Sequence, residues 1–210
     1  LVVFAGLNLR YHPAVIESKK IISEELLGNL HWARSLACFY LPEWRPEQDY
    51  RVGYVSDPKT GGVMFDVIHE IDLVSFLLGK PDILAAVARS SGYLEIPSDD
   101  VADIILRHPQ GVVTSLHMNL FTRFSRRITE VSGEKGVLTI DLKERSLLVQ
   151  DNLGKEIFNS TYESTWDDDY KEEISIFQSI IDGADYPYCD GFEALEILRV
   201  KKNLRILKLS

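Results

Sequence analysis

Three consecutive pairs of β-rich runs between residues 101 and 159 constrain the fold of this chain more than any other feature. The two runs of each pair are separated by a short turn that contains glycine, which is the pattern of an antiparallel hairpin. The turns are Pro109 to Gly111, Ser132 to Lys135 and Asp151 to Gly154. Because successive hairpins build a meander, the sequence predicts an antiparallel sheet in this region.

Apolar residues at three- and four-residue spacing predict helices before and after the hairpins. The predicted helices cover residues 13–27, 63–78, 167–182 and 192–210, the last running through Leu204. Further strands are predicted at residues 1–7, 30–41 and 83–89, and a long loop at 42–60 is a candidate wall of a pocket. This order predicts an α+β fold with an open, mainly antiparallel sheet and helices packed on one face.

Charge and cysteine content narrow the classes of function. The chain has 23 Lys and Arg against 32 Asp and Glu, a net charge of −9, which argues against binding to nucleic acid or to an anionic membrane. No apolar run approaches the ~20 residues of a membrane span. Cys38 and Cys189 match no metal-binding spacing, so we predict buried free thiols and a cytoplasmic location.

The predicted helix 63–78 carries the strongest candidate for chemistry. Asp66, His69 and Asp72 are three residues apart and would share one helix face. A histidine between carboxylates suits proton transfer at neutral pH. A structural or solvated histidine is one alternative interpretation. A metal site on the three side chains is another, although ligands at successive i+3 positions drift around a helix.

Four stretches occur in an order that resembles one known family. They are GLNLRYHP at 6–13, the segment 61–79 with HEID at its centre, RITEVSGEKG at 127–136, and Tyr170 with Glu173 and Phe177. The chain resembles the C-terminal domain of the Gfo/Idh/MocA oxidoreductases, the family of glucose-fructose oxidoreductase and inositol dehydrogenase. The resemblance implies that residues 1–10 are the last strand and exit segment of a Rossmann domain. Residues 11–210 would form the substrate-binding and oligomerisation domain, with the final helix packing back on the Rossmann side.

The resemblance also implies a cofactor, NAD or NADP. The chain contains no Gly-x-Gly-x-x-Gly fingerprint, so cofactor binding is expected on the Rossmann domain, before Leu1, and none is expected of this chain alone. Within the chain, His69 matches the catalytic histidine of the family. The family aspartate stands four residues earlier, at Phe65, so Asp66 is the nearest candidate for its partner. No metal is expected.

The resemblance further implies substrate-binding residues, namely Asn8, Arg10, Asn119, Arg123 and Tyr170. Two of these have structural alternatives: Arg10 in a salt bridge within the domain, and Tyr170 as a core residue. Asp72 is expected to have a structural role.

The resulting functional hypothesis is an NAD(P)-dependent dehydrogenase acting on a sugar, cyclitol or sugar derivative. The isolated 210 residues would be inactive without the N-terminal domain. The alternative is a stand-alone, non-catalytic module for sugar binding or oligomerisation. We also expect a homodimer or homotetramer through the open face of the sheet, because a sheet covered on one side leaves the other to water or to a partner.

Overall fold

The computed structural model describes residues 1–202 and consists of one large sheet with helices on one side. The helices are α1 Pro13–Ser23, α2 Val63–Asp66, α3 His69–Leu78, α4 Trp166–Ile181 and α5 Gly191–Lys202. The strands are β1 Leu30–Tyr40, β2 Asp82–Arg89, β3 Val101–Arg107, β4 Val113–Asn119, β5 Phe121–Gly133, β6 Gly136–Asp141, β7 Ser146–Asp151 and β8 Glu156–Thr161. Leu204, which the sequence places in the last helix, lies outside the described residues.

The eight strands are ordered β2-β3-β4-β1-β5-β6-β7-β8. All three predicted hairpins are present, and every neighbouring pair is antiparallel except β1 with β4. The first strand of the sequence therefore lies at the centre of the sheet, between two strands that follow each other in the chain. The predicted α+β fold with an open, mainly antiparallel sheet is confirmed.

The helices α1, α2 and α3 cover one face of this sheet. On β4 the side chains Thr114, Leu116 and Met118 point toward the helices and are buried, whereas Val113 points to the opposite face and is 38% exposed. This alternation is the period of a strand with one buried face. We call the side without these helices the open face.

The prediction of one continuous helix from Val63 to Leu78 is wrong. Val67 has φ −108° and ψ 25°, so α2 ends at Asp66 and a separate helix, α3, begins at His69. Asp66 and His69 consequently do not share the face of one helix.

The loop before β3 holds the start of α2 in place. Asp99 accepts hydrogen bonds from the backbone N–H of Val63 (2.7 Å, to its carbonyl) and of Met64 (3.0 Å, to Oδ2). Gly62 has φ +90°, and a Cβ there would lie 2.8 Å from the Asp99 carboxylate, so the close approach requires glycine.

The prediction of a strand over residues 1–7 is also wrong. Only Phe4 forms a bridge, antiparallel to Asp190, and Ala5 donates to the Cys189 carbonyl (2.9 Å). A strand needs a hydrogen-bonded neighbour along its length. Within residues 1–202, the segment before α5 pairs with only one residue of 1–7, Phe4. The first helix likewise ends at Ser23, before the predicted Leu27.

Two other features bear on the predictions made from composition. Cys38 and Cys189 are both buried and free, as predicted. In the described part of the chain, no helix has the length and apolar character needed to cross a bilayer.

Candidate active site

His69 is the first residue of α3 and directly follows the break between α2 and α3. The ring nitrogen Nδ1 is buried without a hydrogen-bond partner among residues 1–202. Burial lowers the pKa of His69 below 6.5, and the positive charge of Arg127 lowers it further, against an opposing effect of Glu70. The imidazole is therefore neutral at pH 7 and able to accept a proton.

Asp66 faces the long loop. The hydroxyl of Tyr54, in the predicted pocket-wall segment, donates to Asp66 Oδ1 at 2.6 Å. This hydrogen bond and burial raise the pKa of Tyr54 to about 12. Nδ1 of His69 has no hydrogen-bond partner in the described chain, and a pairing of Asp66 with His69 through another atom stays a prediction. A role for Asp66 in catalysis stays a prediction.

Arg10 lies in the single helical turn Asn8–Tyr11 and forms the salt bridge that we weighed as the alternative to substrate contact. Its Nε and Nη2 donate to the buried Asp72 carboxylate, with Nη2 to Oδ1 at 2.5 Å, and Nη2 also meets Glu193 at 2.6 Å. Burial acts to lower the pKa of Arg10, and the hydrogen bonds to both carboxylates outweigh it. Asp72 thereby ties α3 to the segment before α1, which is the structural role predicted for it.

The remaining predicted residues do not gather around His69. Asn119 is on the open face, where its Nδ2 contacts Cys38 Sγ (3.2 Å) and its Oδ1 accepts from the backbone of β5. Arg123 stacks over Tyr40 at 4.5 Å and is exposed. Asn8 is buried beside Arg10, and Tyr170 is half-exposed on α4, not in the core. Contact of these side chains with a substrate stays a prediction.

The metal alternative gains no support from the geometry. In residues 1–202, the one group of side chains with the spacing of a metal site is Asp72, Cys189 and Glu193, which differs from the set considered above. The guanidinium of Arg10 already neutralises both carboxylates of this group.

Arg127 and Glu70 are site residues that the sequence did not single out. Arg127 Nε donates to Glu70 Oε1 at 2.5 Å, and Glu70 is 1% exposed. The guanidinium carbon lies 5.5 Å from the Phe39 ring and 5.9 Å from the Trp166 ring, so aromatic side chains flank it. Arg127 stands at the start of the matched 127–136 stretch, and no local pattern links it to Glu70, 57 residues away.

A third buried ion pair, Arg145 with Asp169, also lies close to Trp166. Arg145 donates from both Nη groups to the Asp169 carboxylate, at 2.9 and 2.7 Å, and its guanidinium carbon is 5.6 Å from the indole. His12 is fully buried nearby, and its Nδ1 caps α1 by accepting from Ala14 N. Burial and the Arg145 charge lower the pKa of His12 to about 4, so this histidine is neutral as well.

Comparison with known proteins gives a family for this chain. The model of the GFO/IDH/MocA C-terminal domain matches residues 15–139, more than half of the chain. The 2,7-anhydro-N-acetylneuraminate hydratase of Escherichia coli K12 is 25% identical over 145 residues, which cover 67% of this chain and 38% of that protein.

Solved structures with this fold include an NAD binding oxidoreductase from Klebsiella pneumoniae, with TM-score 0.78 and 19% identity. The match covers 95% of this chain and 62% of that one. Another is the UDP-N-acetylglucosamine 3-dehydrogenase GnnA from Acidithiobacillus ferrooxidans, with TM-score 0.71, 19% identity, and coverage of 98% and 60%. The chain thus spans less than two thirds of the length of each of these proteins. It belongs to the GFO/IDH/MocA family and contains the C-terminal domain of that family.

Proposed function

We propose that this chain is the substrate-binding domain of an NAD- or NADP-dependent oxidoreductase that acts on a sugar, a cyclitol or a sugar derivative. The observation that carries the proposal is the environment of His69, a neutral imidazole at the start of α3. Its Nδ1 is buried, so the nitrogen available to a ligand is Nε2. The family assignment and the names of the similar proteins support oxidoreductase chemistry on sugars.

The step assigned to this chain is the proton transfer. In the oxidative direction, His69 Nε2 accepts the proton of a substrate hydroxyl, and in the reverse direction it returns the proton. The 210 residues contain no glycine-rich fingerprint and do not fit the pyrophosphate of a dinucleotide. The proposal therefore places the cofactor on residues encoded before Leu1. The two buried free thiols suit the cytoplasm, the location that we propose.

The test uses the full-length gene product, with any segment encoded before Leu1. The candidate substrates include two compounds that appear in the names of similar proteins, UDP-N-acetylglucosamine and 2,7-anhydro-N-acetylneuraminate. Each is assayed with NAD and with NADP, alongside simple sugars and cyclitols. Saturable reduction of either nicotinamide supports the proposal. Sugar binding without any dependence on nicotinamide supports the second candidate, a non-catalytic module for sugar binding or oligomerisation.

The two charges beside His69 predict opposite shifts in the pH profile of oxidation. Turnover rises with pH as His69 loses its proton, and the lowered pKa places this limb below 6.5. The substitution Glu70→Gln removes a negative charge and should move the limb to lower pH. The substitution Arg127→Gln removes a positive charge and should move it to higher pH. If the limb of the kcat profile moved in the same pH direction in both variants, the assignment of this limb to His69 would be contradicted.

We also propose a homodimer, or a homotetramer built from it, through the open face. Trp32 on β1 and Val113 on β4 are register neighbours there, 43% and 38% exposed. Light scattering at micromolar concentration should give at least twice the monomer mass, and Trp32→Glu should reduce it to the monomer. Leu153→Glu, in the exposed turn after β7, is the control and should leave the mass unchanged. A monomeric wild-type protein would rule the dimer out.

A further inference from the structure

Three arginines are buried or nearly buried on the helix-covered side of the sheet, and Arg127 differs from the other two in its terminal nitrogens. Arg10 and Arg145 direct their Nη groups at carboxylates of this chain. Arg127 uses only Nε for such a pair, with Glu70. Its Nη1 and Nη2 make no hydrogen bond to any residue in 1–202 and are not buried. The edge of the guanidinium that best matches a carboxylate is therefore open.

The surroundings hold this open edge in place. The Arg127 side chain is 16% exposed, with the rings of Phe39 and Trp166 flanking the guanidinium and Glu70 fixing Nε. A guanidinium that is already immobilised loses little conformational entropy when it binds an anion. An exposed arginine on a flexible side chain would lack this advantage.

The open edge also lies within electrostatic reach of the proton acceptor. The charge of Arg127 acts directly on His69, and Glu70, the residue that positions Arg127, follows His69 in α3. The second oxygen of Glu70, Oε2, is buried with no partner in the described chain, so this ion pair still has a polar atom to satisfy.

We propose that Arg127 is an anion-binding residue of the substrate site. Its Nη1 and Nη2 would pair with a carboxylate or phosphate of an acidic sugar derivative, and this contact would set a hydroxyl of the same molecule against His69. The inference rests on the proposed function and narrows its substrate class from sugars in general to anionic ones.

The test compares three ligands that differ only at C6, namely glucose, glucuronate and glucose 6-phosphate. Their Kd values for the full-length gene product are measured by titration calorimetry at constant ionic strength, without nicotinamide. We expect one or both anions to bind at least 10-fold more tightly than glucose, as charge-assisted hydrogen bonds to a partly buried guanidinium predict. Tighter glucuronate would identify a carboxylate, and tighter glucose 6-phosphate a phosphate.

The variants separate Arg127 from general charge effects. Arg127→Gln should weaken the preferred anion by about 10- to 100-fold and leave glucose unchanged. Arg127→Lys keeps the charge but lacks the planar guanidinium, so its affinity for the anion should lie between those of the wild type and Arg127→Gln. Arg126→Gln, the exposed neighbour on the same strand, should behave as wild type. The double variant Glu70→Gln with Arg127→Gln leaves no carboxylate of this pair unpaired, so a loss of anion binding there is not caused by a stranded buried charge.

Equal affinity for glucose and both anions, or an anion preference that survives in Arg127→Gln, would overturn the inference. The outcome is independent of turnover. An anion preference lost in Arg127→Gln, in a protein that reduces no nicotinamide, would reject the proposed function and retain the anion site. Turnover of neutral sugars with no anion preference would retain the proposed function and reject the anion site.

Discussion

Replacing His69 with glutamine is expected to lower kcat of the full-length gene product for the proposed oxidation by about 10²- to 10⁴-fold, the range found when a general acid or base is removed. Glutamine keeps a polar side chain of similar reach and cannot exchange a proton. The ring is partly buried beside the Arg127–Glu70 pair, so water is a poor substitute as proton acceptor. Initial rates of nicotinamide reduction over a series of substrate concentrations measure the effect.

The Kd for substrate should change much less than kcat, because the lost interaction belongs to the proton transfer. His31→Gln is the matched control, since His31 is exposed at the start of β1 and should tolerate the same change without loss of activity. Turnover of the His69 variant within a few-fold of wild type would remove His69 from the mechanism. The alternative interpretation of His69 as a structural residue would then stand.

The substitution Arg10→Met is expected to cost about 3–5 kcal/mol of unfolding free energy, the usual result of breaking a buried ion pair from one side. Asp72 is fully buried, and without Arg10 its carboxylate loses its partner. The link between α3 and the segment before α1 would be lost as well. Urea unfolding, read from the midpoint and slope, measures the change.

A second substitution shows whether the cost comes from the stranded charge. Adding Asp72→Asn to Arg10→Met removes the buried charge and should recover a large part of the lost stability. Lys171→Met is the control, since its partner Asp168 and Lys171 itself are on the surface of α4 and the pair should matter little. A loss from Arg10→Met no larger than that from Lys171→Met would contradict the prediction.

The sequence predicts the outer parts of the sheet well because their signals are local. Each hairpin depends on a few turn residues, and glycine and proline specify those turns through their own backbone preferences. The central position of β1 has no such local signal. Its partners on β4 and β5 are distant in sequence, so the parallel pairing could not be read from the pattern of residues 30–41.

The candidate site shows the same division. His69 was identified from a segment that resembles a known family, whereas its environment depends on contacts across the chain. The break after Asp66 has no glycine or proline to mark it. Asp99 contacts Met64 of α2 from 35 residues further along the chain, and Tyr54 contacts Asp66 from the preceding loop. The spacing argument assumed one continuous helix, so the pairing of Asp66 with His69 stays a prediction. Arg127 was missed because its partner, Glu70, is on a different element.

The position of β1 also sets the order in which this domain can fold. Residues 82–119 and 121–161 form two meanders, each of which can grow from its own turns, and β4 and β5 meet only through β1. Joining them requires closing long stretches of chain, which slows folding through the entropy of loop closure. Until β1 inserts, the edges of β4 and β5 are unpaired and open to pairing with other chains. Insertion of β1 is therefore the step at which folding and aggregation compete.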